Sequence, residues 1–226
     1  MKTIGIIQAR IGSTRLPNKM LLSLHGKPII EWVVSRAKKS KLLDDVIVAI
    51  PNTKKNDILE YYLKKLNVKV FRGSESNVLN RFYEATKTEN ADFIVRICAD
   101  NPLICGEEID NLIKFYLNKE CDYAYNHIPK NNLYPDGLGA EIVSFKLLEW
   151  LNKNVKENKH KEHCFSYIWD NQDKFIIKTF NPKKELQYPN IKLDVDIFDD
   201  FYKLALKPID IDMNAEEIIN IFKDEK

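Results

Sequence analysis

The sequence predicts a doubly wound, mainly parallel α/β sheet of Rossmann-like type with an inserted β arm. Three observations predict it. In the first half, short apolar runs rich in β-branched residues alternate with amphipathic stretches of helical period. The opening run, rich in isoleucine, suits a strand covered on both faces, as parallel strands are. In the second half the rhythm loosens around a polar loop holding Pro129, Pro135 and Gly137, which reads as an arm beside the sheet.

The elements follow in order. Residues 3–9 form the first strand, and Pro28 opens a helix over 28–40, since proline is tolerated in a first helical turn. Residues 46–50 are the next strand, closed by Pro51, followed by a helix over 57–66 and a strand over 68–71. A helix over 75–87, a strand over 92–97 and a helix over 107–118 complete the regular half. Such alternation makes right-handed parallel crossovers. Ligands then sit beyond the carboxyl ends of the strands, near the switch in strand order. Later come strands at 122–126 and 141–144, helices at 145–156 and 163–171, a strand at 175–180, and helices at 198–206 and 215–222. No repeat or linker interrupts the chain, so residues 1–226 read as one domain.

At 44% hydrophobic and 11% aromatic residues, the chain can bury a real core, and 30% charged residues argue against long disordered tracts. With 35 basic against 33 acidic residues there is no basic excess to mark nucleic-acid binding. The opening Met1-Lys2-Thr3 turns polar too soon for a signal peptide, and no apolar run approaches the roughly 18–20 residues that span a bilayer. A cytoplasmic protein with no membrane partner is expected. Cys98, Cys105, Cys121 and Cys164 form no C-x-x-C pair and no zinc spacing, so free thiols are expected.

The most informative stretch is Gln8-Ala9-Arg10-Ile11-Gly12-Ser13-Thr14-Arg15-Leu16-Pro17-Asn18-Lys19, between the first strand and a helix. Arg10, Arg15 and Lys19 are cations gathered around Gly12, Ser13 and Thr14. Glycine frees the backbone to adopt unusual angles and to bring N–H groups close to an anion, and the hydroxyls add donors. Arginine grips phosphate oxygens in pairs, while lysine acts as a mobile point charge. A polyphosphate would find most of its donors here. The stretch fits neither the GxxxxGK[ST] phosphate loop nor the GxGxxG dinucleotide loop.

This stretch resembles the signature of the cytidylyltransferase superfamily that includes 3-deoxy-manno-octulosonate cytidylyltransferase, and most of all the branch of the spore-coat polysaccharide protein SpsF. The likeness continues through Phe71-Arg72-Gly73-Ser74-Glu75, Val78-Leu79-Asn80-Arg81-Phe82 and Val95-Arg96-Ile97-Cys98-Ala99-Asp100-Asn101-Pro102-Leu103. Asp122-Tyr123-Ala124-Tyr125-Asn126, Lys161-Glu162-His163 and Lys192-Leu193-Asp194-Val195-Asp196 follow in family order, so it covers about residues 3–200. It implies a Mg²⁺-dependent transfer of CMP from CTP to a small acceptor. Arg10, Arg15 and Lys19 would act on the triphosphate. Ala9, Gly12, Ser13, Thr14, Arg72, Ser74, Arg81, Cys98 and Ala99 would line the nucleotide site. Arg96, Asn126, Glu141 and His163 would face the acceptor. Residues 122–189 would form an acceptor-side and dimerisation arm, with Tyr125, Tyr134 and Trp169 as exposed aromatics of a homodimer interface.

Asp100 follows a strand, where a magnesium ligand belongs, and the family's matching aspartate binds the metal. Asp194 and Asp196, two apart, would share a face in a strand. The family pattern favours Asp196 for the metal, yet Phe198 replaces its proline and Asp194 a neutral residue, so either acid remains open. Asp199 and Asp200 read as ordinary acids at a helix N-terminus. Arg81 either contacts a phosphate or acceptor, or braces its own helix. Arg96, in a strand that should be buried, needs a partner such as Asp100 or the acceptor. Where the octulosonate enzymes carry a glutamine two before the metal aspartate, this chain has Cys98, so its acceptor is handled differently. Two rival readings stay open. One is a glycosyltransferase using Asp194-Val195-Asp196 as its D-x-D, and the other a catalytically silent nucleotide-binding relative.

Overall fold

A computed structural model describes residues 1–224. Strand β1 (Thr3–Gln8) leads through a three-residue 3₁₀ turn at Lys19–Leu21 to a small hairpin, β2 (Ser23–Leu24) and β3 (Lys27–Pro28). Then come α1 (Ile29–Ala37), β4 (Asp45–Pro51), α2 (Asp57–Lys65), β5 (Lys69–Gly73), α3 (Val78–Thr86), β6 (Phe93–Cys98) and α4 (Gly106–Asn118). The second half holds β7 (Tyr123–Tyr125), β8 (Glu141–Ser144), α5 (Phe145–Asn154), α6 (Asn158–Glu162), α7 (Ser166–Asp170) and β9 (Ile177–Lys178). Helices α8 (Phe198–Ala205) and α9 (Ala215–Phe222) follow.

Among the described residues the main sheet has the order β5-β4-β1-β6-β8-β7-β9. Strand β1 pairs in parallel with both β4 and β6, and β5 extends the parallel set beyond β4. Only β8 runs against its neighbours β6 and β7. The order reverses between β1 and β6, so a crevice opens beyond Gln8 and Cys98, which face each other in register.

The period of two along β1 divides its side chains between two cores. Ile7 packs with α1, α2, α4 and α9 through residues such as Val33, Leu63, Ile109 and Ile218. Ile4 and Ile6 pack on the other face with Phe82 of α3, Leu148 of α5 and Ile168 of α7. Both faces are buried, which is why the sequence shows a continuous apolar run there.

Several expectations shift. The helix foreseen over 75–87 starts at Val78, because Asn77 caps it by accepting from Asn80 N–H and itself donates to Ser74 Oγ. The helix over 163–171 narrows to α7, the unforeseen α6 precedes it, and the strand over 175–180 shrinks to Ile177–Lys178. Residues expected in the arm supply β7, β8 and β9 to the main sheet itself. Tyr125 and Tyr134 are buried there, not exposed, since each hydroxyl has a partner inside: Lys130 O at 2.6 Å and Glu108 Oε2 at 2.5 Å. Trp169 is partly buried against both Tyr123 and Tyr125. The exposed apolar stripe lies instead on α8, where Phe198 stacks on Tyr202 and Leu206 follows just past the helix end.

Candidate active site

The loop after β1 is anchored at three points. Ala9 N–H donates to Ala49 O of β4, Ile11 N–H to Asn56 Oδ1, and Ser13 N–H to Ile11 O. Gly12 lies outside the left-handed region, so backbone freedom is not its role; Lys55 Nζ comes within 3.1 Å of where a Cβ would sit. Ser13 Oγ accepts from Leu16 N–H at 3.3 Å, which closes the loop onto the following turn. Asn18 then takes a left-handed conformation (φ 56°), and the chain turns Lys19 back inward.

Lys19 is the centre of the site. Its side chain is 8% exposed, and Nζ donates to Val195 O at 2.6 Å and to Asp100 Oδ2 at 3.3 Å, with Asp196 Oδ1 at 3.6 Å. Arg15, far more exposed, holds the same Asp196 through two bonds of 3.0 Å. Asp100 lies two residues past the end of β6, and its carbonyl accepts from Val195 N–H, which ties the late segment to the end of that strand. Leu193 and Val195 point into the core, leaving Asp194 and Asp196 on the opposite side. Arg10, Ser13, Thr14, Arg15 and Lys19 line one cavity with Ala99 and Asp100, joined by Gln8 and Met20, which the sequence did not single out.

The two acids of the D-x-D part company. Asp196 faces Lys19 and Arg15, whereas Asp194 lies 3.7 Å from Lys192, with one oxygen buried and without a partner among the described residues. Burial, then the nearby Asp136, pushes the Asp194 carboxyl up to about 6. Asp136 was not foreseen: it sits in a turn whose neighbour Gly137 is left-handed (φ 87°) and packs against the Asp194 backbone. Asp200 caps the start of α8 through Asp196 N–H and Ile197 N–H, as expected of an acid there.

Other predicted residues lie elsewhere. Arg72 turns to α2 and binds Asp57, Glu60 and Thr53 O, because those acids on the neighbouring crossover meet the end of β5. Ser74 offers its carbonyl to Arg81 Nη1 at 2.5 Å, so Arg81 braces the turn after β5 from inside α3. Arg81 is 1% exposed, and burial pushes its guanidinium down to about 10. Asn126 is buried, with Ala140 N–H on Oδ1 and Glu108 O on Nδ2, both at 2.9 Å; its side chain joins the end of β7 to neighbouring main chain. Arg96 pairs with Glu141, its register partner on β8, and not with Asp100. These two line a second cavity with His127, His163, Cys164 and Trp169. Gln8 joins the cavities: it lines the first and accepts from Arg96 Nε at 3.4 Å. The Cys98 thiol, pushed up to about 11 by burial, stays protonated at neutral pH, and all four cysteines are free.

The sequence profile described as cytidylyltransferase matches residues 4–202. The chain belongs to the cytidylyltransferase family. An uncharacterised protein of Methanocaldococcus jannaschii is 44% identical over 207 residues, 92% of this chain and 83% of that one. The spore coat polysaccharide biosynthesis protein SpsF of Bacillus subtilis is 29% identical over 228 residues, 96% and 92% of the two chains. A cytidylyltransferase of Leptospira borgpetersenii serovar Hardjo-bovis superposes with a TM-score of 0.88 at 30% identity, covering 99% of this chain and 94% of its own. Membership sets aside the glycosyltransferase reading of the D-x-D. No helix among the described residues is long and apolar enough to cross a membrane.

In this cytidylyltransferase, Asp100 and Asp196 converge on one ammonium group, and both offer hard oxygen donors. Such a pair fits Mg²⁺, which takes one or two carboxylates and completes its octahedron with phosphates and water. A protein cage is not required, and among the described residues no group of three or more potential ligands gathers closely enough to form one.

The second cavity carries a pH signature. His127 Nε2 is 3.4 Å from Glu141 Oε1, yet Glu141 is already matched by Arg96. Burial, with Arg96 alongside, pushes the imidazole from its ordinary 6.5 down to about 3. Between those values the unfolded chain binds a proton that the folded chain refuses, so stability present above pH 6.5 is lost as pH falls toward 3. The melting midpoint of the wild type should therefore fall more steeply between pH 7 and 4 than that of His127→Gln. Parallel slopes would mean that His127 accepts its proton in the fold.

Proposed function

We propose that this cytidylyltransferase moves CMP from CTP to a small sugar acid, sugar phosphate or similar phosphorylated acceptor and releases pyrophosphate. One observation carries the reading: a buried lysine bridges two carboxylates in a cavity edged by two arginines at the switch point of the sheet. An acceptor oxygen attacks the α-phosphorus in line, and the bond from that phosphorus to the bridging oxygen of the β-phosphate breaks. Pyrophosphate leaves with the electron pair, and any acceptor proton passes to water. Little covalent chemistry falls to the protein, so positioning and charge stabilisation dominate.

Lys19 and Arg10 neutralise the triphosphate. Arg15 joins them by turning from Asp196, since an exposed ion pair is held by no more than about 1 kcal/mol. Asp100 and Asp196 would hold Mg²⁺, which when bound draws charge from the phosphate oxygens. The second cavity, reached past Gln8 and Arg96, suits the acceptor, with His163 exposed at its edge. The similarity to SpsF supports a role in surface glycan assembly. We expect a cytoplasmic homodimer, with the α8 stripe as the available apolar surface.

The test is pyrophosphate release with each of the four nucleoside triphosphates, Mg²⁺ and a panel of sugar acids and sugar phosphates. Release with CTP alone and one acceptor class is the expected result. Failure to bind any triphosphate would overturn the proposal.

A further inference from the structure

Asn56 opens α2 with none of its side chain exposed, yet it does not cap that helix. Asparagine at this position ordinarily turns its side-chain oxygen onto the helix's own free N–H groups. Here Oδ1 accepts instead from Ile11 N–H at 3.0 Å, across 45 residues of sequence. Nδ2 donates to Thr53 Oγ1 at 2.8 Å, and the reversed amide would set Nδ2 against the Ile11 N–H, so the oxygen faces the loop. Ile11 is held from its other side as well, since its carbonyl accepts from Ser13 N–H at 2.9 Å. The rigid peptide plane between Arg10 and Ile11 is thereby pinned. With it are set the point from which the Arg10 side chain departs and the start of residues 12–15.

We infer that Asn56 is a positioning residue for nucleotide binding: the second crossover holds the main chain of the loop after β1 through one buried amide oxygen. The inference rests on the reading that this loop takes CTP. Lys55 beside it approaches Gly12 and is itself held by Glu75 at 2.6 Å, so two successive residues of the turn meet the loop. The donors of the loop act on phosphate only from a fixed main chain, and a tie that leaves α2 without a side-chain cap favours loop order over helix stability.

Two substitutions separate the oxygen from the fold. Asn56→Asp keeps an acceptor for Ile11, and Thr53 can donate to it; Asn56→Ala removes the acceptor. By calorimetry on the whole chain, the CTP dissociation constant should rise at least about tenfold in Asn56→Ala and stay within about threefold of wild type in Asn56→Asp. Without nucleotide, hydrogen exchange in residues 8–16 should rise in the alanine variant and not in the aspartate variant. Asn132→Ala removes another buried asparagine, one that binds Tyr134 N–H, and controls for lost stability: its melting midpoint should fall with CTP affinity unmoved. Should Asn56→Ala fail to fold, Thr53→Val removes the bond that steadies the Asn56 amide and should raise exchange in the same segment. Unchanged CTP affinity in Asn56→Ala, or an aspartate variant as weak as alanine, would overturn the inference. A wild type that binds no CTP would remove the function itself, while unchanged exchange in Asn56→Ala would remove the tie alone.

Discussion

Replacing Lys19 with methionine should slow pyrophosphate release from CTP by about a hundred- to a thousandfold, the usual loss when one preorganised charged donor leaves a transition state. The side chain is 8% exposed, so water cannot take its place, and methionine fills a similar volume without the charge. Steady-state kinetics at saturating CTP measures the loss. A variant that keeps more than a tenth of the wild-type rate would take Lys19 out of the chemistry.

Asp196→Asn and Asp194→Asn should differ sharply, and they decide which half of the D-x-D serves the metal. Asp196 shares Lys19 with Asp100, while Asp194 faces Lys192 and Asp136. A metal ligand contributes several kcal/mol to charge stabilisation, so Asp196→Asn should cost about a hundredfold or more in rate and raise the Mg²⁺ needed for half activity. Asp194→Asn should cost no more than about tenfold, the low end of the range for residues that only support a ligand. Mg²⁺ titrations of the two variants side by side give the answer. Equal losses, or a larger loss at Asp194, would move the ligand assignment to Asp194.

The sequence by itself determined the alternating half of the fold and the place of the cationic loop after β1. Those signals are local: a buried strand is an apolar run, a helix repeats every three or four residues, and Arg10, Arg15 and Lys19 lie within one short stretch. Asp100 was legible for the same reason, as an acid just past a strand end. Partnerships between distant segments were decided only in the tertiary structure, because a charge in a sequence does not say which opposite charge the fold brings to it. Arg96 needed a partner on burial grounds alone, yet only the antiparallel register of β6 with β8 made that partner Glu141. Arg72 was expected to line the nucleotide site, and only the fold brought Asp57 and Glu60 of α2 to it. Tyr125 and Tyr134 could be buried only because Lys130 O and Glu108 stand within reach of their hydroxyls, and no pattern in the chain announces either. Asn56 sits where a helix cap would be read, and its bond to Ile11 exists only because β1 and β4 run parallel, so that the first and second crossovers begin side by side.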